Sequence, residues 1–313
     1  MEVNRPGSMA VPRRGNGKLG RPRLLIVGCG DIGLRIVARL KHRFRIVALT
    51  SSPQRREPLR LAGAVPLAGD LDDRRSLARL RAFGERLIHL APPAAAGEGD
   101  RRSANLASVL GHGDRDRTVY ISTTGVYGDR GGAWIDETAA LLTRQPRSLR
   151  RVAAERLLRR RRRAHVLRVP GIYANDRLPL ARLQQGLPAL LAEEDVYTNH
   201  IHADDLARAA IAALFRGRAA RVTNATDDTS LKMGDYFDLV ARHFGLAEPP
   251  RLPRAQLQQM VSPMMYSFMS DSRRLGNSRL KRELRVKLRY PTVADALAGM
   301  QAGEIDKAVR RSA

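Results

Sequence analysis

The sequence predicts an α/β fold with a doubly wound parallel sheet and a smaller C-terminal lobe. Three observations predict it: a short apolar run at 23–27 that ends in glycine, a regular strand–helix alternation up to residue 170, and a looser pattern beyond. Buried parallel strands are continuous apolar runs of this kind. Strand–helix alternation is typical of a doubly wound sheet.

The elements follow one another at short intervals along the chain. Strands are predicted at 23–27, 44–49, 64–67, 86–90, 118–122, 165–169 and 222–224. Helices are predicted, from apolar residues that recur every three or four positions, at 34–40, 73–83, 102–110, 148–162, 178–192, 203–216, 232–245 and 292–300.

The composition excludes several classes of protein. With 43% hydrophobic residues the chain is not disordered throughout, and no apolar run reaches the 18 residues of a membrane span. The single cysteine, Cys29, excludes an intramolecular disulfide and favours a reducing, cytoplasmic location. Cys and His do not cluster at the spacing of a metal site, so no metal is expected.

The charge is strongly positive, with 56 basic and 31 acidic residues and a formal net charge of +25. Basic residues concentrate at 1–23, at 144–163, which contains the run Arg159–Arg163, and at 273–289. We interpret these segments as solvated helix faces and a tail. The alternative is a nucleic-acid-binding patch, although no aromatic residues interleave with the run to stack on bases.

Residues 28–33 read Gly-Cys-Gly-Asp-Ile-Gly, a G-x-G-x-x-G pattern between the first strand and the first helix. In this context Gly28 allows a tight turn, Gly30 lets a pyrophosphate approach the backbone, and Gly33 lets helix and strand pack closely. The helix N-terminus adds free N–H groups. The pattern predicts a Rossmann-type dinucleotide site that also includes Asp31 and Ile32.

The end of the second strand selects the coenzyme. NAD sites usually carry an acidic residue there, which binds the ribose 2′-hydroxyl. This chain has Thr50, Ser51 and Ser52 instead, followed by Arg55 and Arg56. Because hydroxyls and a guanidinium suit a 2′-phosphate, NADP is favoured over NAD, with Ser51, Ser52 and Arg55 as candidate contacts.

Four further segments carry a resemblance to a known family. They are Gly69-Asp70-Leu71, the stretch ISTTGVYGD at 121–129, LRVPGIY at 167–173 and NHIHADDL at 199–206. In order and spacing they resemble motifs of the extended short-chain dehydrogenases/reductases, the NAD-dependent epimerase/dehydratase superfamily. The resemblance covers roughly residues 24–298.

The resemblance implies roles for individual residues. Thr123 occupies the position of the family's catalytic Ser or Thr, which hydrogen-bonds the substrate oxygen. Asp204 is expected to cap the following helix, and His200 and His202 to be packing or hydrogen-bonding residues. The implied coenzyme contacts are Asp70 and Leu71 at the adenine, Leu90, Ala91 and Pro92 at the ribose and phosphates, and Gly171 and Ile172 at the nicotinamide.

The catalytic pair departs from the family's pattern. The family uses a Tyr with a Lys four residues later on one helix, and these positions fall on Arg147 and Arg151. None of the seven tyrosines has Lys at the fourth following position. Arginine does not donate a proton near neutral pH, but Arg151 can still bind ribose or phosphate. Thr123 and Tyr127 are the nearest remaining catalytic candidates.

Three functions remain open. The first is an NAD(P)-dependent oxidoreductase or epimerase-like enzyme with a rearranged proton donor, acting on a sugar nucleotide or another carbonyl compound. The second is a non-catalytic NADPH-binding or redox-sensing module, and the third is a nucleic-acid-binding protein on a Rossmann body.

The predicted organisation is a disordered basic tail at 1–21, a Rossmann domain at 22–170 to which 203–225 return, a substrate lobe at 171–202 and 226–300, and a tail at 301–313.

Overall fold

A seven-stranded parallel sheet forms the centre of the computed structural model, which describes residues 20–112 and 117–300. The predicted tails lie almost entirely outside these ranges. The strands are β1 Arg23–Val27, β2 Arg45–Thr50, β3 Val65–Ala68, β4 Arg86–His89, β5 Arg117–Thr123, β6 His165–Val169 and β7 Val222–Asn224. Their order in the sheet is β7-β6-β5-β4-β1-β2-β3, which confirms the predicted doubly wound fold.

Helices and short strands complete the described chain. The helices are α1 Asp31–Leu40, α2 Arg56–Ala62, α3 Arg101–Leu110, α4 Pro146–Arg162, α5 Leu180–Gln184, α6 Ala203–Arg216, α7 Met233–His243, α8 Arg254–Met260, α9 Pro263–Phe268, α10 Ser278–Arg282 and α11 Val293–Ala298. The 3₁₀ helices are Pro53–Arg55, Arg74–Phe83 and Thr124–Tyr127. The short strands outside the central sheet are Trp134–Ile135, Gly171–Tyr173, Ala189–Leu190, Tyr197–Thr198, His200–His202, Leu231–Lys232, Arg251–Leu252 and Arg274–Leu275.

Both faces of the sheet are covered, which explains why the strands are apolar throughout. In β1, Leu24 and Ile26 pack against α1 and α6, whereas Leu25 and Val27 pack against α3 and the 3₁₀ helix Arg74–Phe83. All four side chains have no exposed surface. Since neither face meets water, the alternation of polar and apolar residues seen in half-exposed strands is absent.

Two helix predictions need correction. The segment predicted as a helix at 178–192 forms only α5, because Gly186 adopts a φ of +62° and Pro188 follows. Ala189–Leu190 then pairs in parallel with Arg251–Leu252. The helix predicted at 73–83 is present as Arg74–Phe83 but is of the tighter 3₁₀ type, and Asp73 caps it by accepting the Arg75 N–H.

A second apolar cluster lies in the segments that the sequence assigns to the substrate lobe. Leu183 of α5, Phe237 of α7, Leu257 of α8 and Leu297 of α11 are among its buried side chains. The exact division into two domains stays a prediction. Within the described residues, every helix is too short or too polar to cross a membrane.

Candidate functional site

The glycine loop after β1 has the geometry that its sequence predicts. Gly28 has a φ of +81°, and a Cβ on it would lie 2.4 Å from the backbone nitrogen of Ala91, after β4. A Cβ on Gly33 would lie 2.8 Å from the Cys29 Sγ, so Gly33 lets α1 pack closely on the loop. Gly30 caps α1 without a side-chain hydrogen bond, and the space in front of its Cα is open. The loop therefore packs closely against Ala91 and α1, but leaves open space at Gly30, where α1 begins.

A cavity of about 370 Å³ opens beside this loop, at the carboxyl edge of β1, β2 and β4. Of the predicted coenzyme contacts, its lining includes Gly28, Gly30, Ser51, Arg55, Asp70, Leu71, Ala91 and Pro92. The predicted contacts Asp31, Ile32, Gly33, Ser52, Leu90, Arg151, Gly171 and Ile172 are not part of this lining. The structure thus brings half of the predicted set together around one cavity.

Arg55 links the end of β2 to the glycine loop. Its Nη2 donates a hydrogen bond to the Cys29 carbonyl at 2.7 Å, so the guanidinium lies in the wall of the cavity. The Ser52 hydroxyl donates to the Gln54 side chain instead. Burial raises the pKa of the Cys29 thiol to about 11, an effect that the nearby Arg55 charge partly offsets. The thiol is therefore protonated at neutral pH and not a nucleophile.

Arg102, in the first turn of α3, lines the cavity but was missed in the sequence. Its Nε and Nη2 bind the Asp72 carboxylate in a fork, with the shortest distance, from Nη2 to Oδ2, at 2.6 Å. This hydrogen bond lowers the pKa of Asp72. The only sequence signal was the proximity of Asp72 to the predicted contacts Asp70 and Leu71.

The two catalytic candidates differ sharply in exposure. Thr123, at the end of β5, is half-buried, and its Oγ1 accepts the Gly125 N–H at 3.2 Å. Tyr127 is fully buried, donates its hydroxyl hydrogen to the Asn224 Oδ1 at 2.7 Å, and lies under the Arg168 guanidinium. Burial also raises the pKa of Tyr127. A phenol without solvent access is unsuited to proton exchange with a substrate, so Thr123 is the better placed of the two candidates, and its catalytic role stays a prediction.

Arg147 and Arg151 lie on α4, beside the end of β5. The Nη1 of Arg151 donates to the Ile121 carbonyl at 2.8 Å, to the Tyr120 hydroxyl at 3.1 Å, and more weakly to the Ala91 carbonyl. Ala91 also lines the cavity, so Arg151 stands directly behind its wall. The Arg147 guanidinium lies 4.3 Å from the centre of the Phe268 ring.

A buried ion pair lies deeper in the fold, between α4 and β6. Arg168 binds the Glu155 carboxylate, with 2.8 Å between Nη2 and Oε2, and Ser122 donates to the same carboxylate at 2.5 Å. Both charged side chains are at most 4% exposed. The pair fixes α4 against the strands that carry the candidate site.

The histidine-containing segment is structural. His202, not Asp204, caps α6, because its Nδ1 accepts the Asp204 N–H at 3.1 Å. The Asp204 carboxylate instead binds Arg35 and Arg39 of α1, each at 2.9 Å. His200 is buried, which lowers its pKa to about 4 and keeps the ring neutral. The short strand Gly171–Tyr173, which contains the predicted nicotinamide contacts, pairs with His200–His202.

The arginine run at 159–163 is not one continuous surface. Arg162 is fully buried and donates to the carbonyls of Leu110, Gly111 and Gly84. Arg159 donates to the Ala220 carbonyl at 2.9 Å. Three arginines of the run are exposed: Arg160, Arg161 and Arg163. Among the described residues, no group of three or more His, Cys, Asp or Glu side chains could hold a metal ion.

Comparison with known proteins identifies the family. Residues 24–225 match the NAD dependent epimerase/dehydratase family, and no curated protein matches. A functionally unknown conserved protein from Silicibacter pomeroyi DSS is 29% identical with a TM-score of 0.76, over 90% of this chain and 99% of that one.

Two solved epimerases share the fold at lower identity. UDP-glucose 4-epimerase from Thermotoga maritima, solved with UDP-glucose, is 18% identical with a TM-score of 0.72, over 93% of this chain and 99% of that one. UDP-glucuronic acid 4-epimerase from Bacillus cereus, solved with NAD, is 15% identical with a TM-score of 0.69, over 91% and 99%. Because the family match spans well over half of its residues, the chain belongs to the NAD-dependent epimerase/dehydratase family.

Proposed function

We propose that this protein is an NADP(H)-dependent oxidoreductase that binds its coenzyme along the carboxyl edge of the sheet. The observation that carries the proposal is the glycine loop, where Gly28 closes the turn against Ala91 and Gly30 leaves the N-terminus of α1 open. A pyrophosphate is the group that such a turn accommodates. Family membership and the NAD complex of the Bacillus cereus epimerase support a dinucleotide.

The end of β2 supports NADP rather than NAD. Arg55 and Ser51 line the cavity there, and the segment 50–56 contains no carboxylate that would bind a free ribose 2′-hydroxyl. A guanidinium presents parallel N–H donors to a phosphate. Arg55 uses Nη2 for the Cys29 carbonyl, which holds the group in the cavity wall.

The residues at the end of β5 suit the reduction of a carbonyl or the reverse oxidation. The bound coenzyme supplies or accepts a hydride at the substrate carbon. We assign Thr123 to orient the substrate oxygen through its hydroxyl, and Arg151 to bind the coenzyme ribose or phosphate. An arginine side chain is not a proton donor near neutral pH, so we expect the proton to reach the substrate oxygen by way of water.

The substrate proposed from family membership is a sugar nucleotide or another carbonyl compound. The Thermotoga maritima epimerase, solved with UDP-glucose, supports the first of these.

Coenzyme titration tests the proposal. We expect NADPH to bind at least tenfold more tightly than NADH, a difference of about 1.4 kcal/mol. Arg55→Gln should remove most of this preference by weakening NADPH alone, because only the 2′-phosphate is affected. Calorimetry and nicotinamide fluorescence measure both affinities. Arg56→Gln, at the exposed neighbouring residue, is the control.

Tighter binding of NADH would contradict the NADP assignment. The lack of a saturable response to either coenzyme would overturn the proposed function as a whole.

A non-catalytic NADPH-binding module is the second candidate. It is favoured by the burial of Tyr127 and by the two arginines at the positions of the catalytic pair. Hydride transfer from NADPH to any member of a carbonyl panel would exclude this alternative.

A further inference from the structure

Two arginines on α4 flank the candidate site without a carboxylate partner. Arg147 and Arg151 are one helical turn apart and therefore share a face of α4. Among the described residues, neither forms an ion pair with an Asp or Glu: Arg151 binds backbone carbonyls and the Tyr120 hydroxyl, and Arg147 contacts Phe268. Two positive charges on one helix face thus lack a direct ion-pair partner in the described part of the chain.

Arg147 lies close to the Thr123 turn. A Cβ on Gly125 would lie 2.9 Å from the Ser148 Oγ and 3.5 Å from the Thr123 Oγ1. Because Ser148 follows Arg147 directly, the turn after β5 packs on the first turn of α4. Arg151 extends the same face to Ala91 and the wall of the coenzyme cavity. Arg151 thus adjoins the wall of the coenzyme cavity, and Arg147 lies on the turn of α4 that packs against the Thr123 turn.

The contact with Phe268 prepares Arg147 for a ligand. The guanidinium carbon lies 4.3 Å from the ring centre, a distance at which the cation contacts the face of the aromatic ring. In the described part of the chain the Arg147 N–H groups have no protein acceptor, so they are free to bind a ligand. Phe268 is 53% exposed, so the pair lies at the protein surface rather than in the core.

Glu155 and Asp100, the carboxylates that act on Tyr120 together with Arg151, bind other groups. Glu155 is held by Arg168 and Ser122, and Asp100 accepts the Ser103 hydroxyl and the N–H groups of Arg102 and Ser103. The first turn of α4 contains no acidic residue, so Arg147 also stands against the positive end of the helix dipole. An arginine in this electrostatic setting is stabilised by an added anion.

We propose that Arg147 binds an anionic group, a carboxylate or a phosphate, that the substrate carries beside its reacting carbonyl. The proposal rests on the proposed function, because it places the substrate between the coenzyme cavity and Thr123. A planar guanidinium binds either group through two parallel N–H donors. Arg147, at the position where the family has its tyrosine, therefore selects substrates that carry an anionic group.

Anion binding to the full-length protein saturated with NADPH tests the proposal, because the phosphate sites of the coenzyme are then filled. The probes are oxalate and inorganic phosphate, measured by calorimetry and by the fluorescence of the bound nicotinamide. We expect at least one to bind saturably, and the tighter probe identifies the group as a carboxylate or a phosphate. Arg147→Gln should weaken that binding at least tenfold and change the NADPH affinity less than twofold.

Arg156→Gln is the matched control, since Arg156 is an exposed arginine on the same helix. Arg147→Lys keeps the charge but loses the paired donors, and it should bind the probe with intermediate affinity. The proposal is overturned if neither anion binds the NADPH complex, or if Arg147→Gln binds it as the wild type does. Failure to bind NADPH would instead overturn the proposed function.

Discussion

The glycine loop after β1 can form only because Gly28 has no side chain. Its positive φ and its contact with Ala91 both exclude a Cβ, whereas Gly30 has a φ of −80° and open space before it. Gly28 thus serves the fold of the turn, whereas Gly30 leaves open space at the N-terminus of α1. The pattern alone does not separate these two roles.

We predict different outcomes for alanine at these two positions. Gly28→Ala should destabilise the protein by about 1–3 kcal/mol through backbone strain and also abolish NADPH binding. Gly30→Ala should leave the free energy of unfolding within about 0.5 kcal/mol, because a methyl group meets nothing there, yet weaken NADPH binding at least tenfold. Urea unfolding and coenzyme titration measure the two effects. Full NADPH affinity in Gly30→Ala would contradict a pyrophosphate at this turn.

At the scale of a single element, the two ends of α4 differ in what their arginines contact. Its first turns carry Arg147 and Arg151 beside the candidate site, and its last turn carries the buried Arg162. Arg162 binds the loop after α3 and the Gly84 carbonyl before β4. Residues of one type, close together in one run, therefore differ completely in what they contact.

We predict that Arg162→Met lowers the free energy of unfolding by roughly 2–4 kcal/mol. The methionine fills part of the space but leaves the carbonyls of Leu110, Gly111 and Gly84 without their donor, and a buried polar group without a partner is costly. Arg161→Met, at an exposed neighbour, should change it by less than about 0.5 kcal/mol. Urea unfolding of both variants measures the difference. Equal stability of the two would show that water replaces the guanidinium.

At the scale of the whole molecule, a buried carboxyl lies where the sheet meets the C-terminal segments. Asp227 follows β7 and is 3% exposed, and its Oδ1 accepts the Thr229 N–H at 2.9 Å. Titratable groups around it are the phenols of Tyr173 and Tyr236, the carboxylate of Asp228 and the imidazole of His200, whose ring contacts both phenols. Burial raises the pKa of Asp227 to about 7.

This pKa predicts a specific dependence of stability on pH. The folded state holds the Asp227 proton more tightly than the unfolded state, whose pKa is near 4. The stabilising contribution of the proton is therefore complete below about pH 4 and is lost as the pH rises to about 7. Asp227→Asn removes the buried charge, so we expect it to be more stable than the wild type at pH 8 by roughly 1–4 kcal/mol.

Urea unfolding of both proteins from pH 4.5 to pH 8 measures the difference, which should shrink toward low pH. The buried His200 has the opposite dependence because its pKa is lowered, but it is present in both proteins and cancels in the difference. A gap that stays constant across this range would show that Asp227 does not titrate there.

Local signals in the sequence determined the strands, the glycine loop and the family. The strands at 23–27 and 165–169 have the predicted bounds because a doubly covered sheet requires continuous apolar runs. The NADP preference and the domain boundaries remain predictions. The helix expected at 178–192 failed because its C-terminal half pairs with a distant strand, an interaction that local periodicity does not encode.

Only the tertiary structure decided what the polar side chains contact. The burial of Tyr127 against Asn224, the three carbonyls bound by Arg162 and the contact of Arg147 with Phe268 all join residues far apart in the chain. Such contacts depend on how whole elements pack, whereas a motif fixes only the spacing of residues along one element. The sequence therefore indicated which residues depart from the family's pattern, and the packing determined which of them remain accessible to a ligand.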